Sequence, residues 1–238
     1  MNPRQVAANE AFARHVQTRL AASGHYRGRI DSWAGPITLA AFNAAFDEPF
    51  ADVLPQPVPA QPAGRRIAIM VGHNAVAQGA RRVKDGVSEF VWNGDLAQRI
   101  ARLGADVRVF NRTSGPNEFG RAYGEVAAWR ADCAVELHFN AATPAAHGCE
   151  TLWGRSPRSQ EFAGVMQRAM LAALGNRDRG LLDRRTGNGS STVNQPAQPV
   201  CLVEPYFGSN PQECALADAR KDALAAAILA GCQRFLST

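Results

Sequence analysis

The 238-residue sequence predicts an α/β fold: a mostly parallel sheet flanked by helices, preceded by a small all-helical N-terminal domain. Three observations predict it. From Arg65 onward, apolar runs of strand length alternate with longer segments of helical period. Between Asp52 and Gly64 the stretch LPQPVPAQPA carries four prolines, a stiff extended composition that separates this pattern from what precedes it. Polar residues able to bind a metal or move a proton follow directly on three of the apolar runs. In open parallel sheets that edge is where ligands bind.

Each element follows in order. Residues 1–50 read as a helical module. Phe12, Val16 and Leu20 recur at helical spacing, Gly24 stops the helix, and Tyr26 to Asp31 form a turn. Gly35-Pro36 opens a second helix, with Leu39, Phe42 and Phe46 on one face. Residues 51–64 are the linker, and residues 65–238 form the α/β domain. There, Ile67–Val71 is a short apolar strand, and a helix runs from about Val87 to Leu103. Val107–Phe110 is the next strand, Asn117 to Arg130 a helix, and Ala134–Leu137 a third strand. Glu150–Trp153 is a fourth strand. Ser156-Pro157 then supplies an N-cap and first turn for a helix ending at Leu174. Val200–Val203 is a further buried strand, and Asp218 to Phe235 a long Ala- and Leu-rich helix. The Gly-, Ser-, Asn- and Gln-rich stretch from Arg184 to Pro199 reads as a loop that orders on substrate binding.

Composition narrows the function classes. The five cysteines are odd in number and lack CxxC spacing, so they read as buried free thiols, neither a disulfide framework nor a cysteine zinc site. The formal charge of +5 favours anionic partners. Its Arg and Lys residues are scattered and form no nucleic-acid-binding motif, so no nucleic acid is expected. No apolar run is long enough to span a membrane, and the first residues lack the apolar core of a signal peptide. An extracellular substrate would therefore require another route of export.

His73 follows the first strand by one glycine, His138 directly follows the third, and Glu204 directly follows Val200–Val203. If these strands are parallel neighbours, the three side chains meet at one sheet edge. Glu89 is a fourth candidate. It stands at the start of a helix, where a carboxylate also suits the helix dipole, so capping and ligation are both open. Two imidazoles and one carboxylate make a common catalytic zinc set with an open position for water. The ion acidifies that water and polarises a scissile carbonyl, and a second carboxylate then serves as general base and acid. Two His and two Glu thus suffice for metal-assisted amide hydrolysis. N and O ligands suit zinc without excluding other divalent ions.

The local contexts occur in a telling order: Val71-Gly-His-Asn74, Glu89-Phe-Val-Trp-Asn93, Glu136-Leu-His-Phe-Asn140, and Leu202-Val-Glu-Pro-Tyr-Phe-Gly-Ser-Asn210. With Gly148-Cys-Glu150 and Arg179-Gly-Leu181, they resemble the amidase 3 family of zinc N-acetylmuramoyl-L-alanine amidases over roughly residues 66–235. The resemblance implies zinc bound by His73, Glu89 and His138, Glu204 as the catalytic glutamate, and Asn140 as a supporting polar residue. The family usually has a Gly-rich stretch after the first histidine, where this chain has Asn-Ala-Val-Ala-Gln-Gly. It often has a small residue at the position of Glu136. On a strand Glu136 shares a face with His138, so it either orients that histidine or is a buried partner of an arginine.

In the N-terminal module, Val16–Leu20, Gly24–Asp31, Ala34–Thr38 and Phe42 resemble the peptidoglycan-binding domain 1 family, with Ser32 where a glycine is usual. The pairing implies a wall hydrolase, either an endolysin released through a holin or a wall-remodelling enzyme, with peptidoglycan as partner. A zinc peptidase cutting stem peptides and a non-catalytic wall-binding protein are the alternatives. His15 and His25 read as surface or packing residues, and His147 as a solvated loop residue. Trp92, Trp129 and Trp153 read as core, one of them a candidate for lining a sugar groove.

Overall fold

A computed structural model describes residues 14–31, 65–194 and 197–238. The second N-terminal helix, Phe12 and the proline-rich linker lie outside them. The chain divides into two compact units, Met1–Ala60 and Gln61–Thr238.

In the first unit, residues 14–22 are helical. Gly24, at φ +81°, reverses the chain, and the amides of His25 and Tyr26 both return to the Leu20 carbonyl at 2.9 and 3.1 Å. Leu20 and Tyr26 form a small buried cluster with Val16 and Ala21 against it. The buried Gln17 amide donates to Asp31 Oδ1 at 2.8 Å and Tyr26 Oη at 3.1 Å, which fixes the turn.

The second unit is a six-stranded mixed sheet between two helical layers. Its strands are β1 (Ile67–Val71), β2 (Val107–Asn111), β3 (Cys133–Leu137), β4 (Cys149–Trp153), β5 (Asp178–Asp183) and β6 (Val200–Glu204). They lie in the order β2-β1-β3-β6-β4-β5. The first four in that order run parallel, and β4 pairs antiparallel with β6 while running parallel to β5. Mostly parallel therefore holds, with a reversed β4–β5 pair.

Successive strand residues face opposite layers. Ile67, Ile69, Val71, Val135 and Cys201 point into the larger core, built with α1 (Glu89–Leu103), α3 (Ser159–Leu174) and α6 (Lys221–Leu236). Ala68, Met70, Ala134 and Leu202 point into a smaller one, covered by α2 (Glu118–Ala128) and α4 (Ser190–Val193). A strand-length run need not be apolar to pair: β5 has the pattern of an exposed edge, with only alternate residues half-buried.

Four details differ from the sequence reading. β5 was not anticipated, because DRGLLD is charged at both ends and lies at an edge. The 184–199 stretch contains α4. The C-terminal helix begins at Lys221, after a separate α5 (Pro211–Ala219) capped by the Asn210 side chain. Ser156 does not cap α3: that helix starts at Ser159, and the Ser156 hydroxyl accepts the Val200 amide at 3.2 Å. All five cysteines are free and buried, as expected.

Candidate metal centre and catalytic cleft

The parallel register makes β1, β3 and β6 end together, with Val71 beside Leu137 and Leu137 beside Val203. His73, His138 and Glu204 consequently emerge at one sheet edge. Gly72 lets β1 leave the sheet close to its neighbour, since a Cβ there would collide with the Leu137 carbonyl and the His138 ring. His73 itself has φ 64°, a left-handed conformation unusual for a side chain of its size. Gly79 (φ +75°) brings the following loop against His73 and Glu89, where a Cβ would lie 2.6 Å from the His73 ring and 2.7 Å from Glu89 Oε2.

Glu89 stands between the two imidazoles. Its Oε2 is 3.1 Å from His73 Nε2 and its Oε1 is 2.7 Å from His138 Nδ1. It is also the first residue of α1, but the helix is capped by Ser88, so Glu89 contributes only its charge to the first turn. The ligand atoms of His73, Glu89 and His138 all lie within 4.8 Å of one another. That donor set could hold a divalent cation, and its chemistry fits zinc.

Beneath this cluster is a buried network. Glu136 Oε1 accepts from His138 Nε2 at 2.9 Å, and its Oε2 accepts from the Tyr123 hydroxyl at 2.7 Å. Arg112 lies 3.4 Å from Glu136, pairs with Glu118 at 3.2 Å, and donates to the His73 carbonyl at 3.3 Å. Asn74 donates to Glu118 at 3.0 Å. Both sequence alternatives for Glu136, orienting His138 and pairing with an arginine, occur together.

The electrostatics follow from these contacts. Burial opposes the charge on Glu89, but hydrogen bonds from His138 and His73 outweigh it and hold the carboxyl down at about 2. Burial likewise opposes charge on His138, and Glu136 and Glu89 reverse the balance, raising it to about 10. Burial tends to raise Glu136, but its bonds to His138 and the Arg112 charge bring it below the ordinary carboxylate value. Glu204 is different. Burial dominates, Glu150 and Glu89 add like charge, and the carboxyl rises to about 7 despite the pull of His138.

These groups line a cleft of about 670 Å³ that also holds Asn140, Glu150, Leu152, Arg184 and the 187–192 segment. Because β4 runs backwards, its beginning lies beside the end of β6, and Glu150 pairs in register with Glu204. The Asn140 side chain makes no hydrogen bond to the His–Glu cluster. Its Nδ2 donates to Glu150 Oε1 at 2.7 Å, and Arg179 takes the other carboxylate oxygen at 2.7 Å. Sequence reasoning missed Arg112, Glu118, Tyr123 and Arg184. Arg112 directly follows β2, but the strand ends at Asn111, one residue beyond the Phe110 read from the sequence, so the rule that singled out His138 points to Asn111 instead. His15, His25 and His147 are exposed. Trp92 is buried against Tyr206 and Phe139, and among the described residues no tryptophan lines the cleft.

Residues 67–234 match the sequence profile of a family described as N-acetylmuramoyl-L-alanine amidase. No curated protein matches the chain. Among solved structures, it is similar to the catalytic domain of an N-acetylmuramoyl-L-alanine amidase from Bacillus (Paenibacillus) polymyxa var. colistinus. That match has 25% identity and a TM-score of 0.62, covering 72% of this chain and 98% of that one. An N-acetylmuramoyl-L-alanine amidase of Nostoc punctiforme shares the fold at 19% identity and a TM-score of 0.63, over 74% of this chain and 100% of that one. The catalytic domain of an endolysin targeting Clostridia difficile shares it at 22% identity and a TM-score of 0.62, over 72% and 98%.

Proposed function

This chain belongs to the amidase 3 family of N-acetylmuramoyl-L-alanine amidases, and from that premise we propose a zinc-dependent wall hydrolase built on His73, Glu89, His138 and Glu204. It hydrolyses the amide bond between N-acetylmuramic acid and L-alanine in peptidoglycan. The observation that carries the zinc reading is the convergence of two imidazoles and one carboxylate, with ligand atoms within 4.8 Å of one another, from β1, β3 and α1.

His73, Glu89 and His138 would hold the ion. Bound there, zinc supplies an acidified water and a Lewis acid for the scissile carbonyl. The chain's own groups do the rest. Glu136 fixes the His138 ring through Nε2 and leaves Nδ1 facing Glu89 and the cleft. Glu204 accepts the proton of the attacking water and delivers it to the leaving amide nitrogen. A carboxyl raised by burial to about 7 can do both near neutral pH. Asn140 and Arg179 hold Glu150 beside it.

Residues 1–50 would tether the enzyme to the wall, with 51–64 as spacer. The enzyme would act outside the cytoplasm, as an endolysin released through a holin or as a remodelling enzyme. No helix among the described residues is long and apolar enough to cross a membrane.

Clearing of a purified peptidoglycan suspension tests the reading. The protein should clear it, a chelator should stop clearing, and added zinc should restore it. Glu204→Gln should retain zinc and lose turnover by on the order of a thousandfold. Undiminished clearing by Glu204→Gln, or in excess chelator, would refute the scheme.

A further inference from the structure

Among the described residues, the wall of the cleft carries one side-chain cation without a partner. Arg184 follows β5, and its backbone is pinned: its amide donates to the Trp153 carbonyl at 2.8 Å and its carbonyl accepts from Asn194 Nδ2 at 3.0 Å. Its side chain lines the cleft with Glu204 and Glu89. Among the described residues, it makes no ion pair or hydrogen bond, and its Nε is buried without a partner.

The neighbouring arginines differ. Arg185 pairs with Asp183 at 3.2 Å and lies over the Trp153 ring. Arg112 and Arg179 are matched to Glu118 and Glu150. Three acids of the cleft are likewise committed, Glu89 to the two histidines, Glu118 to Arg112, and Glu150 to Arg179 and Asn140, and the fourth, Glu204, makes no ion pair with Arg184. Arg184 and Glu204 line the same cleft, so the guanidinium shares the space in which the substrate would be held.

A positioned guanidinium with its donors unused is a carboxylate receptor, because its planar fork matches two carboxylate oxygens at once. The substrate supplies such groups. The peptide stem leaves the scissile amide at its first residue and carries free carboxylates from the second residue onward. Resting on the amidase reading, we propose that Arg184 binds a carboxylate of the stem peptide, so that the cleft selects stems with a free acid at that position over stems bearing the amide.

Calorimetric binding of three soluble N-acetylmuramoyl-tripeptides tests this: one with all acids free, one with the second-residue carboxylate as carboxamide, and one with the third-residue side-chain carboxylate as carboxamide. The native protein should bind the all-acid ligand about ten- to a hundredfold more tightly than one of the two amides, which identifies the carboxylate. Arg184→Gln should erase that ratio, and Arg184→Lys should keep part of it. Equal affinity of the native protein for all three, or an unchanged ratio in Arg184→Gln, would overturn the proposal. Turnover of the same ligands separates it from its premise. Cleavage of all three with equal affinity counts against Arg184 alone, whereas a carboxylate preference without cleavage of any counts against the amidase reading.

Discussion

His138 sits between two carboxylates, so a proton on its ring and a bound cation would contend for the same nitrogen. Both of its ring nitrogens face acids, Nδ1 toward Glu89 and Nε2 toward Glu136. Only a deprotonated Nδ1 can bind a metal, so the two compete for one place. The sign follows. His138 is raised to about 10, so at pH 7 it carries a proton that metal must displace, whereas Glu89, held down at about 2, has none to lose. Zinc added to metal-free protein at pH 7 should release about one proton from His138, measured by titration in weak buffer, and apparent affinity should rise with pH up to about 10. Removing the orienting carboxylate in Glu136→Ala should weaken zinc affinity by about ten- to a hundredfold in chelator competition.

At the scale of elements, the site is an outcome of register. Three strands ending level deliver His73, His138 and Glu204 to one edge, and a helix start delivers Glu89. This much was legible, because apolar runs with polar residues just beyond them reveal both the strands and their functional ends. The reversed β4–β5 pair was not, since strand direction leaves no mark on a five-residue strand such as CETLW. β5 itself was hidden by its exposed, charged composition. The network beneath His138 was legible only at Glu136. Arg112 and Tyr123 meet it through a parallel crossover and a helix face that no local pattern announces.

The loop carrying Gly79 is anchored from outside the sheet. Arg82 is buried and makes two hydrogen bonds to Asp218, at 2.7 and 2.6 Å, while Lys84 reaches the same carboxylate at 2.6 Å and Trp92 donates to it at 3.1 Å. The Asp218 carboxyl is driven far below its ordinary value by the Arg82 bond and so stays charged. Arg82→Ala should destabilise the α/β domain by about 2 kcal/mol, less than for a fully buried pair because Asp218 can rehydrate. Thermal unfolding of the metal-free protein measures it.

Across the whole molecule, the chain divides into Met1–Ala60 and Gln61–Thr238, and the proposal gives wall binding to the first unit and chemistry to the second. Tethering raises the effective concentration of the wall at the active site without changing the site itself. Deleting residues 1–60 should therefore lower affinity for insoluble sacculi by on the order of a hundredfold. Cleavage of soluble muramyl peptides should change little. Co-sedimentation with sacculi and a soluble-fragment assay together check this, and wall affinity untouched by the deletion would exclude a wall-binding role for the module.

Mass spectrometry of sacculi digested by the zinc-loaded protein tests the central claim most directly. The account predicts intact stem peptides released with a free L-alanine amino terminus, and glycan strands whose lactyl groups end in carboxylates. Stem fragments cut at internal peptide bonds, with L-alanine still attached to muramic acid, would contradict it.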